Sequence, residues 1–264
     1  MTGQPCQRWR DRRGTYRPAG EPIRTADYEV SEIATDREAR AFVERHHYSA
    51  SYPAARARFG LHRRGELVGV AVLSHPASEA ALQAALPLPC DRLAKAELGR
   101  LVLLDDVPAN GESWFMARAF DLARARGFDA IVSHSDPWAR RCADGSVVFP
   151  GHLGVVYQAL NATYMGRTKA SSWRLLPDGT VLSARALSKL RAKDKGWRYV
   201  VELLLEHGAL APTGDWRVWC TLAIAAASRP FRHYGNHRYV WALDRRLRRH
   251  LPEGQAYPKL LEAA

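Results

Sequence analysis

The sequence predicts an α/β protein, with a mixed central sheet flanked by helices and a basic α+β extension towards the C-terminus. Two observations predict it. Between Glu97 and Gly166 an apolar run, a turn, an amphipathic helix, a second apolar run ending in polar groups and a short helical stretch follow one another, which is the pattern of strands joined by helices. From Trp173 onward the alternation gives way to segments in which lysine and arginine are interleaved with tryptophan and tyrosine. Polar residues gather where each predicted strand stops, and open α/β sheets keep their ligands there.

The elements follow in order. Residues 1–26 hold Arg8, Arg10, Arg12, Arg13, Arg17 and Arg24 among Gly, Pro and polar residues without helix or strand period, which predicts a mobile basic arm. YEVSEI from Tyr28 is a strand. In TDREARAFVERHHY, Thr35 or Asp36 caps a helix whose inward stripe is Ala39, Phe42, Val43 and His46, and His46, His47 and Tyr48 close it. Adjacent histidines do not share a helix face, so that pair lacks metal-ligand spacing. Ala57–Leu61 and Glu66–Ser74 flank the turn His62-Arg63-Arg64-Gly65 as a hairpin. Pro76–Pro89 is a linker with a short alanine-rich helix.

LGRLVLL is the next strand and Asp105–Gly111 its turn. Glu112–Arg126 is a helix burying Phe115, Ala119, Leu122 and Ala123, ended by Gly127. FDAIVSHSD is a further strand. GHLGVVYQALNATYMG is a short helix and a turn leading to a strand at WRLL. A tight turn, a short strand, a basic helix with Arg185, Lys189, Arg191 and Lys193, and more helix come after. The domain reading is a basic mobile arm over 1–26, a core over 27–172 and a basic, aromatic-rich extension over 173–264 packed on that core.

With 47% apolar residues among 264 the chain can bury a sizeable core, which excludes a disordered protein. The net charge of +12 comes largely from arginine, whose planar fork binds oxyanions with two parallel hydrogen bonds. A polyanionic partner is one reading of that excess, and the codon bias of a GC-rich genome is the other. The charges coincide with aromatics downstream: Arg185, Lys189, Arg191, Lys193, Arg238, Arg245 and Arg246 lie among Trp197, Trp216, Trp219, Tyr239 and Trp241. Cations for phosphates and rings for bases are the residue types of a nucleic-acid surface. The cysteines Cys6, Cys90, Cys142 and Cys220 are scattered without a CxxC pair, which argues against a zinc ribbon, a redox dithiol or a disulfide framework. No apolar run has membrane-spanning length and no secretory h-region is present, so a soluble intracellular protein with no membrane partner is expected.

Arg100 sits in an apolar run, where a charge needs a partner or a ligand; Asp136 at the end of the next strand is the natural partner, as a structural or a catalytic pair. Ser133, Ser135 and Asp136 end that strand in polar groups. A Ser/His/Asp hydrolase built on His134 is excluded, because alternate strand residues face opposite ways and no GxSxG elbow is present. Asp136 is the candidate general base.

The order strand, helix, hairpin, strand, helix, strand, helix, strand resembles the GNAT-like (acyl-CoA N-acyltransferase-like) fold. In that fold a splayed pair of strands admits a pantetheine arm, and the helix after the fourth strand offers its N-terminus to the pyrophosphate. The matching loop here is Pro108–Ser113, with Asn110, Gly111 and Ser113 as cofactor-binding candidates. It lacks the Gly-rich, Arg-led pattern, and Glu112 repels a pyrophosphate.

The runs ELGRLVL, NGESWFMARAF, SHSDP, GHLGVVYQALNATYMG, HRYVWAL and YPK, from Tyr28 to Lys259, resemble the Mom family of bacteriophage DNA-modification proteins. The resemblance implies an enzyme of the bacterial host cytoplasm that converts adenine N6 in double-stranded DNA to an N6-carbamoylmethyl group, shielding phage DNA from restriction. Tyr157 resembles the tyrosine that protonates the leaving thiolate in GNAT enzymes and joins Asp136, Arg100 and Ser133 as the catalytic candidates. Tyr48, Ser135, Asn161 and Tyr164 are the substrate-binding candidates, Asn161 through paired amide hydrogen bonds to adenine and Tyr164 by stacking on an extruded base. The donor is acetyl-CoA or another acyl or acetamide donor. Acyl transfer joins nitrogen to the carbonyl carbon, whereas the family product joins N6 to a methylene carbon, so a thioester alone does not account for it. For a metal ion, His152, Asp136 and Cys142 are candidates in a spacing that matches no standard site. A conventional N-acetyltransferase acting on a protein or small amine, and a non-enzymatic DNA-binding protein, are the two competing readings.

Overall fold

The computed structural model describes residues 6–11, 13–18, 20–76 and 78–259. Along the chain lie β1 (Cys6–Arg10), β2 (Arg13–Arg17), β3 (Tyr28–Glu32), α1 (Asp36–His46), β4 (Ala55–Arg63), β5 (Glu66–Ser74), α2 (Glu79–Ala85), β6 (Lys95–Leu103), α3 (Gly111–Ala125) and β7 (Ala130–Ser135). Then come β8 (Arg140–Arg141), β9 (Val147–Phe149), α4 (Val155–Ala159), β10 (Thr163–Arg167), β11 (Ser171–Leu175), β12 (Val181–Leu182), α5 (Ala184–Ala192), α6 (Arg198–Glu206), α7 (Trp216–Ala227), β13 (Arg229–His233) and β14 (His237–Ala242). The contacts divide the chain into two units. The first runs to Asp136 and resumes over His152–Arg167 and from His237; the second comprises Pro137–Gly151 and Thr168–Asn236.

The first unit is built on a seven-stranded sheet of order β10-β14-β7-β6-β5-β4-β3. Every neighbouring pair is antiparallel except β6 and β7, which are parallel. A parallel pair needs a crossover, and α3 provides it. The pairing of β6 with β7 covers only Lys95–Ala130, Ala96–Ile131 and Glu97–Val132, after which the two strands part. A bulge marks the same place on β6: Leu73 pairs with Leu98 and Val72 with Arg100, leaving Gly99 over. The site is tight: a Cβ there would lie 2.5 Å from Ser74 Oγ, so the hydroxyl would have to turn away. This mixed central sheet flanked by helices, splayed between β6 and β7, is the α/β architecture that the element order predicts.

One face of the sheet is sealed by α3. Phe115, Met116, Ala119 and Ala123 pack on Leu61, Leu73, Leu98, Ile131, Tyr157, Tyr239 and Trp241, with Leu122 at the margin. The other face carries Val132, Val240 and Ala242 against Leu82, Leu86 and Leu247.

Three features depart from the sequence expectation. The stretch expected to be a mobile arm holds the β1–β2 hairpin, with Cys6 opposite Arg17 and Arg8 buried. The residues 163–167, read as a turn, form the core strand β10, while the strand at WRLL is β11 of the second unit. The C-terminal run HRYVWA is β14, inserted between β10 and β7 of the core sheet rather than belonging to a separate extension. Long-range antiparallel pairing of this kind leaves no local signal in a sequence.

The second unit contains the sheet β12-β11-β13, the β8–β9 hairpin and helices α5–α7. Its core is Leu176, Leu187, Leu190, Val200, Leu204 and Trp219 with their neighbours. Among the described residues no helix is long and apolar enough to cross a membrane.

Asp215 caps α7 by accepting from the backbone N–H of Arg217 at 2.9 Å and of Val218 at 3.0 Å. Replacing it by alanine leaves both donors without that acceptor, so Asp215→Ala is expected to lower unfolding stability by about 1 kcal/mol. A urea titration reads this as a lower midpoint at unchanged slope; an unchanged midpoint contradicts the cap.

Candidate active site

The chemistry-bearing residues of the first unit converge where β6 and β7 part. Leu98 has no strand neighbour on β7, and its carbonyl accepts instead from Ser133 Oγ at 3.1 Å. Tyr157 comes from α4 and is buried. Burial pushes its phenol up, Glu97 adds to this, and hydrogen bonding to Ser133 and the charge of Arg100 act against it. The phenol is therefore neutral and protonated at neutral pH, able to donate. Gly154 allows the approach of α4: its φ is +69°, and a Cβ there would lie 2.6 Å from the Tyr157 ring and 3.2 Å from Ser135 Oγ.

Arg100 does not take the partner expected from the sequence. Its Nε donates to Ser51 O at 2.8 Å and its Nη2 to Ser51 Oγ at 2.7 Å, while Nη1 donates to Gly99 O. The Gly99 bulge re-aims the following side chain, which sends the guanidinium to the loop before β4 rather than to Asp136. Burial pulls it below the usual arginine range, against the influence of Tyr48, Glu97 and Tyr157. Asp136 is buried at the end of β7, and its carbonyl accepts from the N–H of His152 at 2.8 Å. On the opposite lip, Glu97 Oε1 stands 3.5 Å from His134 Nδ1.

A wall of buried polar rings continues onto β14 and β10. Ser135 is opposite His237, Ser133 opposite Tyr239, and Tyr164 opposite Tyr239. The Tyr164 hydroxyl lies 2.7 Å from His237 Nδ1. Burial, with Arg167 adding to it, lowers His237 to about 4, so the ring is neutral at neutral pH. Its Nε2 is buried without a hydrogen-bond partner among the described residues. Tyr239 donates to Leu153 O and burial pushes it up to about 12. At the close of α1, His47 rather than His46 is the buried histidine, held far below its ordinary range by burial and by Arg100 and His152. Tyr48 beside it packs on Trp9 at 4.6 Å and edge-on to His152 at 6.2 Å.

The splay thus brings together Arg100, Ser133 and Tyr157, with Ser135 and Tyr164 along the adjoining wall. Asn161 does not join them. It is exposed, with φ +54°, and closes the turn after α4 through N–H donation to Gln158 O; asparagine is favoured there because it tolerates the left-handed conformation. Glu97, His47 and His237 are the members that sequence reading missed. For Glu97 the signal was available, since an acid in the same apolar run as Arg100 carries the same burial cost.

The loop expected to cradle a pyrophosphate is committed to other partners. Arg8 donates to Val107 O at 3.2 Å and to Pro108 O at 2.7 Å, and pairs with Glu112 in the first turn of α3. Glu21 accepts the N–H of Ala109 at 3.2 Å, and the Ser113 hydroxyl donates to Asn110 O at 3.0 Å. Gly111 is buried against Val107. Two carboxylates at an anion site, one of them holding a loop amide, do not fit a diphosphate. Among the described residues no group of three or more His, Cys, Asp or Glu side chains is placed to hold a metal ion.

The basic residues separate by position. Arg245 and Arg246 are exposed beyond Ala242, which pairs with Ala130 at the far end of β14, about 17 Å along the strand from His237. Arg238 is at the near end, opposite His134, with Nη2 donating to Met165 O at 3.1 Å. Arg185 and Arg191 are exposed on α5 of the second unit and Lys189 is half-buried there. Lys193 ends that helix at φ +54°, its ammonium 4.4 Å from the centre of the Trp216 ring.

Two outcomes are expected. His237 has its proton affinity lowered by folding, from an ordinary 6.5 to about 4, so its stabilising contribution is complete above pH 6.5 and is lost as pH falls towards 4. The urea midpoint of His237→Gln is expected to fall less steeply over that window than wild type; equal slopes contradict a neutral buried ring. Calorimetric titration with CoA is expected to give no saturable binding up to about 1 mM, and a micromolar Kd contradicts the occupied loop.

The family model described as "Mom protein family" matches residues 27–259. Among solved structures, an acetyltransferase from Bacillus subtilis in complex with CoA is 10% identical, covering 81% of this chain and 97% of that one at a TM-score of 0.34. An N-acetyltransferase from Staphylococcus aureus Mu50 is 10% identical, covering 71% and 68% at 0.31. A tandem GNAT protein from the clavulanic acid biosynthesis pathway is 14% identical, covering 57% and 48% at 0.34. No curated protein matches the chain in sequence.

Proposed function

The chain belongs to the Mom family of phage DNA-modification proteins, and on that premise we propose that it is a transferase that converts adenine N6 in DNA to N6-carbamoylmethyladenine at the β6–β7 splay, protecting phage DNA from restriction. The observation that carries the reading is the Tyr157 phenol, kept protonated by burial next to Ser133 and Arg100 where the two strands part.

In the proposed step the donor is an acetamide unit bearing a leaving group on its methylene carbon. The N6 nitrogen attacks that carbon, the N–C bond forms, and the bond to the leaving group breaks with its electron pair. Tyr157 donates a proton to the leaving group, while Asp136 accepts the proton lost by N6. The carboxylate addresses a real difficulty, because the N6 lone pair is delocalised into the ring. Ser133 orients the phenol, Arg100 balances developing negative charge, and Tyr164, Ser135 and Tyr48 line the base side, with neutral His237 behind Tyr164. An acetamide on N6 projects into the major groove among the edges that nucleases read. Reaching N6 requires the base to leave the stack.

The test is to express the chain in a bacterium and digest its DNA to nucleosides for mass spectrometry. A deoxyadenosine heavier by one acetamide unit is the expected product. An acetyl group instead would mean ordinary acyl transfer, and unmodified deoxyadenosine from folded, expressed protein would sink the enzymatic reading.

A further inference from the structure

The second unit holds 13 Lys and Arg against 6 Asp and Glu, an excess of seven within the chain's net +12. Sequence reading placed the matching contact on the basic helix α5, but the same unit presents another surface. On β11 and β13, Trp173 is directly opposite Phe231, Ser171 opposite His233, and Leu175 opposite Arg229. Directly opposed residues share a sheet face, so Trp173, Phe231, His233 and Arg229 line one side. Trp173 stacks on His233 with ring centres 3.9 Å apart at 19°, and Phe231 continues the row 6.3 Å from Trp173. An ordinary explanation is that these rings fill the core. That holds for His233 and for Leu175 on the same face, which are buried; Trp173 and Phe231, on the rung between them, are only half-buried and lie outside the core cluster of this unit. Exposed Arg229, two residues along the same face from Phe231, donates to the carbonyl of Arg141, so one guanidinium adjoins the row.

We propose that this sheet face binds an unpaired DNA strand, its bases stacking on Trp173 and Phe231 and its phosphates held by Arg229. The proposal rests on the DNA-modifying reading above. Extruding a base unpairs its neighbourhood and exposes ring faces that a duplex hides. Aromatic platforms capture such bases without regard to sequence, while cations track the backbone.

The test is fluorescence anisotropy of the full chain with a labelled single strand of roughly 15 nucleotides and with the matching duplex, across salt concentrations. Trp173→Leu is expected to weaken single-strand binding by about 5- to 150-fold, with a smaller effect on the duplex, and Trp173→Phe to bind like wild type. Arg229→Ala is expected to reduce the slope of log affinity against log salt by about 0.7. In the wild-type chain, photocrosslinks from a bromouracil-containing strand are expected on peptides carrying Trp173 or Phe231, a readout that does not depend on a variant folding. Single-strand affinity unchanged in Trp173→Leu, or crosslinks confined to α5, would overturn the surface while leaving a wild-type acetamide product untouched. Loss of single-strand binding in Trp173→Leu from a chain that leaves nucleosides unmodified would support the surface and remove the modification reading. A wild-type chain that binds no DNA at low salt would end both.

Discussion

The parting of β6 from β7 is the constraint on which the first unit depends. Two parallel neighbours would ordinarily continue their ladder, and a strand that stops pairing inside a protein strands backbone groups that need partners. Here the ladder ends at Glu97 and Val132, the Gly99 bulge absorbs one residue of β6, and Ser133 supplies the hydrogen bond that Leu98 O lacks. The gap so formed is lined by atoms that fold the chain and by atoms that can act on a ligand, and in Ser133 the two are the same hydroxyl. Arg100, freed by the bulge from the regular alternation, is held by Ser51 at the rim.

Burial then decides what each group can do. Tyr157, Tyr164 and Tyr239 are all pushed up, and His47 and His237 are both pulled down. Desolvation disfavours the charged form of either residue type, so the wall consists of neutral rings. Arg100 is the guanidinium beside that wall, held at the rim by Ser51. Elsewhere in the same unit the buried guanidinium of Arg8 is paired. Arg8 and Glu112 occupy the loop before α3 together, since removing either partner would leave an uncompensated ion.

Much of this was legible in the residues. The apolar stripe of α3, the hairpin β4–β5 and the polar end of β7 all follow from local periodicity, and the structure forms them as expected. Arg100 and Ser133 were legible because a charge in an apolar run and hydroxyls at a strand end violate local rules in a way that functional sites do, whereas Tyr157 was named only through the family resemblance. Asn161 misled for a local reason: a side chain able to read adenine also suits a left-handed turn, and the turn has it. The place of β14 between β10 and β7 and the ring row on β11 and β13 depend on pairing between distant segments. Five- and six-residue strands that pair across tens of residues carry little signature until their partners are known. Arg8 shows the same limit, since nothing near it in sequence announces Glu112.

The most direct measurement compares wild type with Tyr157→Phe in cells, quantifying modified deoxyadenosine per total deoxyadenosine at matched protein levels. The phenol is proposed to supply a proton in the rate-setting step, and the substitution removes one oxygen from a buried ring that is otherwise kept by its packing on Tyr239 and Trp241. Modification is expected to fall by about 100-fold or more with the unfolding midpoint little changed. A Tyr157→Phe chain that modifies DNA as fully as wild type would contradict the assignment of the β6–β7 splay as the reacting centre.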